Sequence, residues 1–125
     1  MNPKDLKYSK EHEWVKLQGD IATAGITDFA QHQLTDIVFV ELPEKDIQVQ
    51  QNKQMAVVES VKSVSDVFAP VSGQVIEINE KLIDNPEIIN KDPYGQGWFA
   101  KIKIKDKAEL NHLMTADQYE ALTKH

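Results

Sequence analysis

In "VVESVKSVSDVFAPVSG", residues 57–73, a single lysine, Lys62, stands among valines and small residues between two β-rich arms. The arms predict a hairpin with Lys62 near its tip, an amine on a long stem held out by a folded scaffold rather than by a mobile tail. Ser60, Ser63 and Ser65 are small enough to let another protein approach it. Use of the amine as a base or Schiff-base nucleophile requires a pKa lowered by burial or by a second cation. The surrounding sequence specifies neither, and Glu59 would tend to hold the amine protonated. Acylation by a modifying enzyme requires only access, and it removes the charge. The plain alternative is a lysine that keeps a turn solvated.

The other candidates for chemistry are sparser. His12, His32, His112 and His125 occur far apart, without the spacing of metal ligands. The chain has no cysteine, which excludes a cysteine nucleophile, a thiolate metal site and disulfides. It contains no G-x-G-x-x-G, Walker A, H-E-x-x-H or G-x-S-x-G pattern. Lys and Arg total 14 against 20 Asp and Glu, and the net charge of -6 argues against a nucleic-acid binder. No window approaches the roughly 20 apolar residues of a membrane helix, and "MNPKDLKYSKEHEWV" is not a secretory signal. The expectation is one cytoplasmic domain over 1–125 that engages neither nucleic acid nor membrane.

The elements that must position Lys62 follow from alternation and β-branched content. Strands are predicted near Trp14–Leu17, Ile21–Gly25, Asp36–Glu41, Gln54–Val61, Val67–Ala69, Gly73–Ile78 and Trp98–Ile104. In "WFAKIKIK" the parity places Trp98, Ala100, Ile102 and Ile104 on one face, and Phe99 with the lysines on the other. "GITDFAQHQLTD" predicts a short helix capped by Thr27. Asp106 with Glu109, and Thr115 with Gln118, predict two helical starts near the C-terminus, the second anchored by Tyr119 and Leu122. The connection over 79–97 carries apolar anchors at Leu82, Ile83, Ile88 and Ile89. Many short strands between turn residues favour a β-rich domain over βαβ units.

Four segments carry a family resemblance: "EHEWV" at 11–15, "GITDFAQHQLTDIVFVELPE" at 25–44, "VVESVKSVSDVFAPVSG" at 57–73 and "INEKLIDNPEIINKDPYGQGWFAKIK" at 78–103. Through them the chain resembles the glycine cleavage system H proteins over nearly its whole length. The resemblance implies a mainly β fold, the antiparallel barrel-sandwich hybrid of lipoyl and biotinyl carriers, with short helices including a C-terminal one. It implies that Lys62 carries lipoate in amide linkage. Glu59, Ser60, Val61, Ser65 and Asp66 would serve recognition by the lipoate-attachment machinery. Val64 stands where the family commonly has a small residue, and Asp46, Asn52 and Ala56 stand near usual glycine positions.

The same resemblance implies a carrier rather than an enzyme. Glycine decarboxylase would load an aminomethyl group onto the arm, a tetrahydrofolate-dependent aminomethyltransferase would remove it, and dihydrolipoyl dehydrogenase would restore the disulfide. A monomer forming transient complexes suits that circuit. Glu13 is implied as the carboxylate that receives the carried amine in a surface cleft, with Asp66 and His32 shaping its surroundings. Read from its sequence position alone, Glu13 is a solvated strand residue. Two other readings use the same features: a lipoyl-relay protein that donates lipoyl groups to other complexes, and an unmodified interaction protein on the H-protein scaffold.

Overall fold

Alternating apolar and polar positions fold into two antiparallel sheets in a computed structural model that describes residues 2–123. The larger sheet runs in the order β1 (Lys7–Tyr8), β2 (Glu13–Gln18), β3 (Ile21–Ile26), β9 (Ala100–Ile104), β8 (Gly73–Ile78) and β5 (Gln48–Val49). The smaller orders β4 (Ile37–Glu41), β6 (Gln54–Ser60) and β7 (Val64–Phe68). Their inward faces meet in one core that includes Val15, Val58, Val67, Val75 and Ile102. The result is the barrel-sandwich hybrid, open rather than closed into a single barrel.

The predicted strands form, with shifts that have local causes. The strand expected at Val67–Ala69 begins at Val64, because Val64 to Val67 pair with β6 from Glu59 back to Ala56. Phe99 is fully buried against its predicted parity. It lies just before β9, where its N–H donates to the Ala24 carbonyl, so strand alternation starts only at Ala100. The two-residue strands β1 and β5 lie outside the predicted set, since two residues carry no measurable alternation.

Turn chemistry explains the absent glycines. Asp46 and Asn52 have φ of 72° and 68°, the left-handed region that these side chains tolerate better than most. Ala56 sits inside β6, where no glycine is needed. Gly25 is different, since a Cβ there would come within 2.8 Å of the Trp14 ring that lies over it. That ring donates from Nε1 to the Pro93 carbonyl at 2.9 Å, which ties the 79–97 connection to the sheet.

Within that connection α2 (Lys81–Asp84) and α3 (Ile88–Lys91) bury Leu82 and Ile89, while Ile83 stays exposed. α1 (Asp28–Leu34) is capped as predicted, Thr27 Oγ1 accepting from the Ala30 N–H at 3.2 Å. Thr115 and Gln118 form a reciprocal box at the start of α4 (Ala116–Thr123). Asp106 caps the 3-10 turn Lys107–His112, but Glu109 does not complete that box. Its carboxylate instead accepts from Ser72 N–H and Oγ, at 2.7 and 2.8 Å. Leu122 is exposed, so Tyr119 anchors α4 by packing on a second cluster with Leu6, Tyr8 and Trp14. Among the described residues no helix is long and apolar enough to cross a membrane.

Candidate functional site

Lys62 occupies the turn joining β6 to β7 and is exposed. The turn is rigid because of one buried hydroxyl. Ser60 Oγ accepts the N–H groups of Lys62 and Ser63 at 3.1 and 3.0 Å and donates to the Ser63 carbonyl at 3.2 Å. The Ser60 N–H donates to that carbonyl as well, at 2.8 Å, and Val61 N–H reaches the Asp36 carbonyl at 3.0 Å. Ser60 thus builds the turn and is not open for a partner to read. Replacing it with alanine removes the acceptor for two N–H groups. We expect Ser60→Ala to cost about 1 to 2 kcal/mol and to slow acylation of Lys62, read by urea unfolding and by a lipoylation time course. An unchanged time course would limit Ser60 to stability.

The hairpin presents a mixed outer face. Val61 and Val64 are 69% and 64% exposed. Phe39, Glu59 and Val64 lie across the three strands in one row, and Glu41, Val57 and Asp66 in the next. Asp66 is exposed and accepts from Gln54 Nε2 at 3.1 Å. Ser65 turns toward the other side of the hairpin, where it lines a surface cavity of about 330 Å³. Glu11, His12, Phe29, Ala30, Gln33 and Leu34 complete that cavity.

Glu13 is 2% exposed, which corrects its reading as a solvated strand residue. It begins β2, and the Thr27 N–H to His12 carbonyl bond turns the preceding loop over it. One carboxylate oxygen accepts from the Ser9 hydroxyl. The other accepts from the Phe68 N–H at 3.2 Å, and Ser9 Oγ in turn accepts the Glu13 N–H at 3.0 Å. The carboxylate therefore clamps β2 to the end of β7. Burial pushes its pKa up to about 7, against the two hydrogen bonds that pull it down.

His32 is exposed, its Nε2 lying 3.5 Å from an Asp28 carboxylate oxygen, and it does not line the cavity. Helix phase is the reason. At roughly 100° per residue, positions 29, 30, 33 and 34 of α1 share one side and 32 falls on another. That count, applied to "TDFAQHQL", would have selected Phe29 and Gln33. His12 carries no such local signal, because its ring is placed by Tyr119, 107 positions away. The structure brings Ser65 to the cavity and Glu13 to the Phe68 N–H at the end of β7, while Glu59 and Asp66 stay on the outer face.

Lys62 and Ser65 stand three positions apart, a span of at most about 11 Å. A lysine stem extended by a lipoyl chain reaches roughly 14 Å by standard bond lengths. The cavity offers apolar walls in Phe29, Ala30 and Leu34 with polar groups beside them. An exposed amine and a half-apolar cavity within its reach fit the group.

An antiparallel barrel-sandwich hybrid that presents a lysine at a hairpin tip defines a class, the carrier domains of the lipoyl and biotinyl type. Residues 6–125 match the sequence model of the family described as Glycine cleavage H-protein. The glycine cleavage system H protein of Symbiobacterium thermophilum is 57% identical over 122 residues, covering 98% of this chain and 95% of that protein. That of Staphylococcus carnosus is 53% identical over 120 residues, covering 96% and 95%. A crystal structure of the glycine cleavage system H protein from Mycobacterium marinum matches with a TM-score of 0.89 at 38% identity, covering 96% of this chain and 97% of that one. The chain belongs to the glycine cleavage H-protein family. It is a lipoyl carrier in glycine cleavage and not a catalyst, and it works with the other components of that system.

Proposed function

We propose that the chain acts as one carrier domain in which Lys62 Nζ holds lipoate through an amide, and that the arm moves between the hairpin tip and the cavity bounded by Ser65 and His12. The observation that carries the proposal is the exposed lysine on a turn held by the buried Ser60 hydroxyl. When attached, the lipoyl group supplies a disulfide that opens to two thiols, one of which takes the one-carbon amine derived from glycine. Every other part belongs to the chain. The rigid tip keeps the attachment point at a constant distance from the cavity, and tethering raises the local concentration of the arm there.

Glu59, Val61 and Asp66 offer the attachment machinery an exposed face of acids and valines around the amine, with Ser60 and Ser65 shaping it from beneath. The partners in this reading are glycine decarboxylase, the aminomethyltransferase and dihydrolipoyl dehydrogenase, each met transiently by a monomer in the cytoplasm. Glu13 is the carboxylate we assign to the carried amine. A buried carboxyl with its pKa pushed up to about 7 lacks a counter-charge, and a cation brought against it would supply one. Asp66 contributes negative charge on the neighbouring strand. His32 has no part in this reading, because α1 turns it away from the cavity.

Peptide mapping by mass spectrometry of the natively expressed protein tests attachment, with a lipoyl adduct on Lys62 as the expected result. Reconstitution with the three partner enzymes should then give glycine-dependent loading. An adduct without loading would favour a lipoyl-relay role, and no adduct under lipoate-replete conditions would favour the unmodified interaction protein.

A further inference from the structure

His12 has φ of 73°, one of four non-glycine residues in the left-handed region among those described, and it lines the cavity. Its ring is held on three sides. It lies 4.7 Å from the Phe29 ring, meets Tyr119 edge-on at 5.7 Å, and its Nδ1 is 2.7 Å from the Tyr119 hydroxyl. That hydroxyl is also 2.7 Å from Thr27 Oγ1, the fully buried cap of α1. A residue of the C-terminal helix therefore sets the orientation of a cavity-lining imidazole. The carrier function described so far makes no use of this arrangement.

The order of donors along the chain decides the tautomer. Thr27 Oγ1 already accepts the Ala30 N–H. Its own hydrogen has one acceptor among the described residues, the Tyr119 oxygen. Tyr119 must then give its hydrogen to His12 Nδ1, which acts as acceptor. The ring proton is left on Nε2. That atom has no protein partner among the described residues, yet no buried side-chain nitrogen or oxygen there lacks one. Nε2–H is consequently accessible, on a residue that lines the cavity. Placing a second proton on Nδ1 would turn the hydroxyl chain around and strand the Thr27 hydrogen. Burial acts in the same direction, holding the His12 pKa below its usual value against the pull of Glu11.

We propose that His12 is the hydrogen-bond donor of the cavity to the seated arm, presenting Nε2–H to its amide carbonyl or a sulfur, and that Tyr119 is the positioning residue that fixes this tautomer through Thr27. The inference rests on the reading that the arm enters this cavity. A neutral donor suits the site, because an imidazolium would repel a carried amine in its cationic form. The left-handed backbone follows from the same demand. It swings the ring of a loop residue between Phe29 and Tyr119, and the surrounding contacts bear its cost.

Long-range proton–nitrogen correlation spectra of His12, recorded with and without lipoylation, are the direct test. We expect the Nε2–H form in both, a moved Nε2–H resonance on lipoylation, and a mixed tautomer in Tyr119→Phe, whose ring keeps its stacking on Tyr8. A proton found on Nδ1, or an Nε2–H resonance indifferent to lipoylation, overturns the proposal. The second measurement is the rate at which loaded protein loses its one-carbon cargo to water. His12→Ala should lose it at least threefold faster, and His12→Gln should restore most of the retention, since its amide N–H stands near the place of Nε2–H. Both variants carry the same backbone cost at this φ, so their difference reports the donor. Gln33→Trp, an exposed position on the cavity wall, separates the two levels. Faster loss in Gln33→Trp with none in His12→Ala overturns the role of His12 while the cavity reading stands. No change in either overturns the cavity reading, and this inference with it.

Discussion

Lys62→Arg will carry no lipoyl adduct and support no glycine-dependent turnover, while its thermal melt overlays that of the parent. Amide formation needs an amine that can shed its proton and attack an activated carboxyl, and a guanidinium stays charged at any pH a protein survives. The substitution keeps charge and length, so it separates acylation from simple solvation of the turn. The turn itself is held by Ser60, not by the lysine side chain, which leaves the fold indifferent to the change. Intact mass before and after incubation with a lipoate ligase and lipoate reads the first part, and reconstituted turnover the second. An adduct on another lysine, or full turnover by Lys62→Arg, would remove Lys62 as the attachment site.

Glu13→Gln will change how stability depends on pH. In the unfolded chain this carboxyl loses its proton near the ordinary value of 4.5, and in the fold only near 7. Between those values the folded state holds more proton than the unfolded one, so stability falls as pH rises through that window. At roughly 1.4 kcal/mol for each pH unit separating the two values, the loss reaches on the order of 3 kcal/mol by neutral pH. Glutamine has no proton to lose. Its carbonyl can accept the Phe68 N–H and its amide can donate to Ser9 Oγ, so the clamp survives. The variant should match the parent near pH 4.5 and exceed it above pH 7 by up to that amount, measured by urea unfolding followed through tryptophan fluorescence. His12 titrates in a neighbouring range with its folded pKa lowered, but it is common to both proteins and cancels in the difference. Parallel stability profiles would show that the buried carboxyl keeps an ordinary proton affinity. If Glu13 also meets the carried amine, Glu13→Gln will lose cargo faster at neutral pH despite its greater stability.

Those two residues mark the limits of sequence reading here. Lys62 was legible because its signal is local: two apolar arms, small neighbours and one cation within 17 residues. The caps at Thr27 and at Thr115 with Gln118 were legible for the same reason, since donor and acceptor stand three residues apart. Glu109 failed the same test. Its local partner competed with Ser72, which is 37 positions away in the chain but adjacent in the fold. Phe99 escaped the alternation rule because the strand starts at Ala100, two residues later than the pattern.

Sequence by itself determined the mainly β architecture, the hairpin, the exposed amine and, through whole-length resemblance, the carrier family. Each rests on periodicity or on contiguous residues, which survive without knowledge of packing. Tertiary structure alone decided that Glu13 is buried and that the Tyr119 hydroxyl meets His12. Those outcomes depend on desolvation and on hydrogen bonds across 55 and 107 positions, and such partners exist only after the sheets have closed on each other.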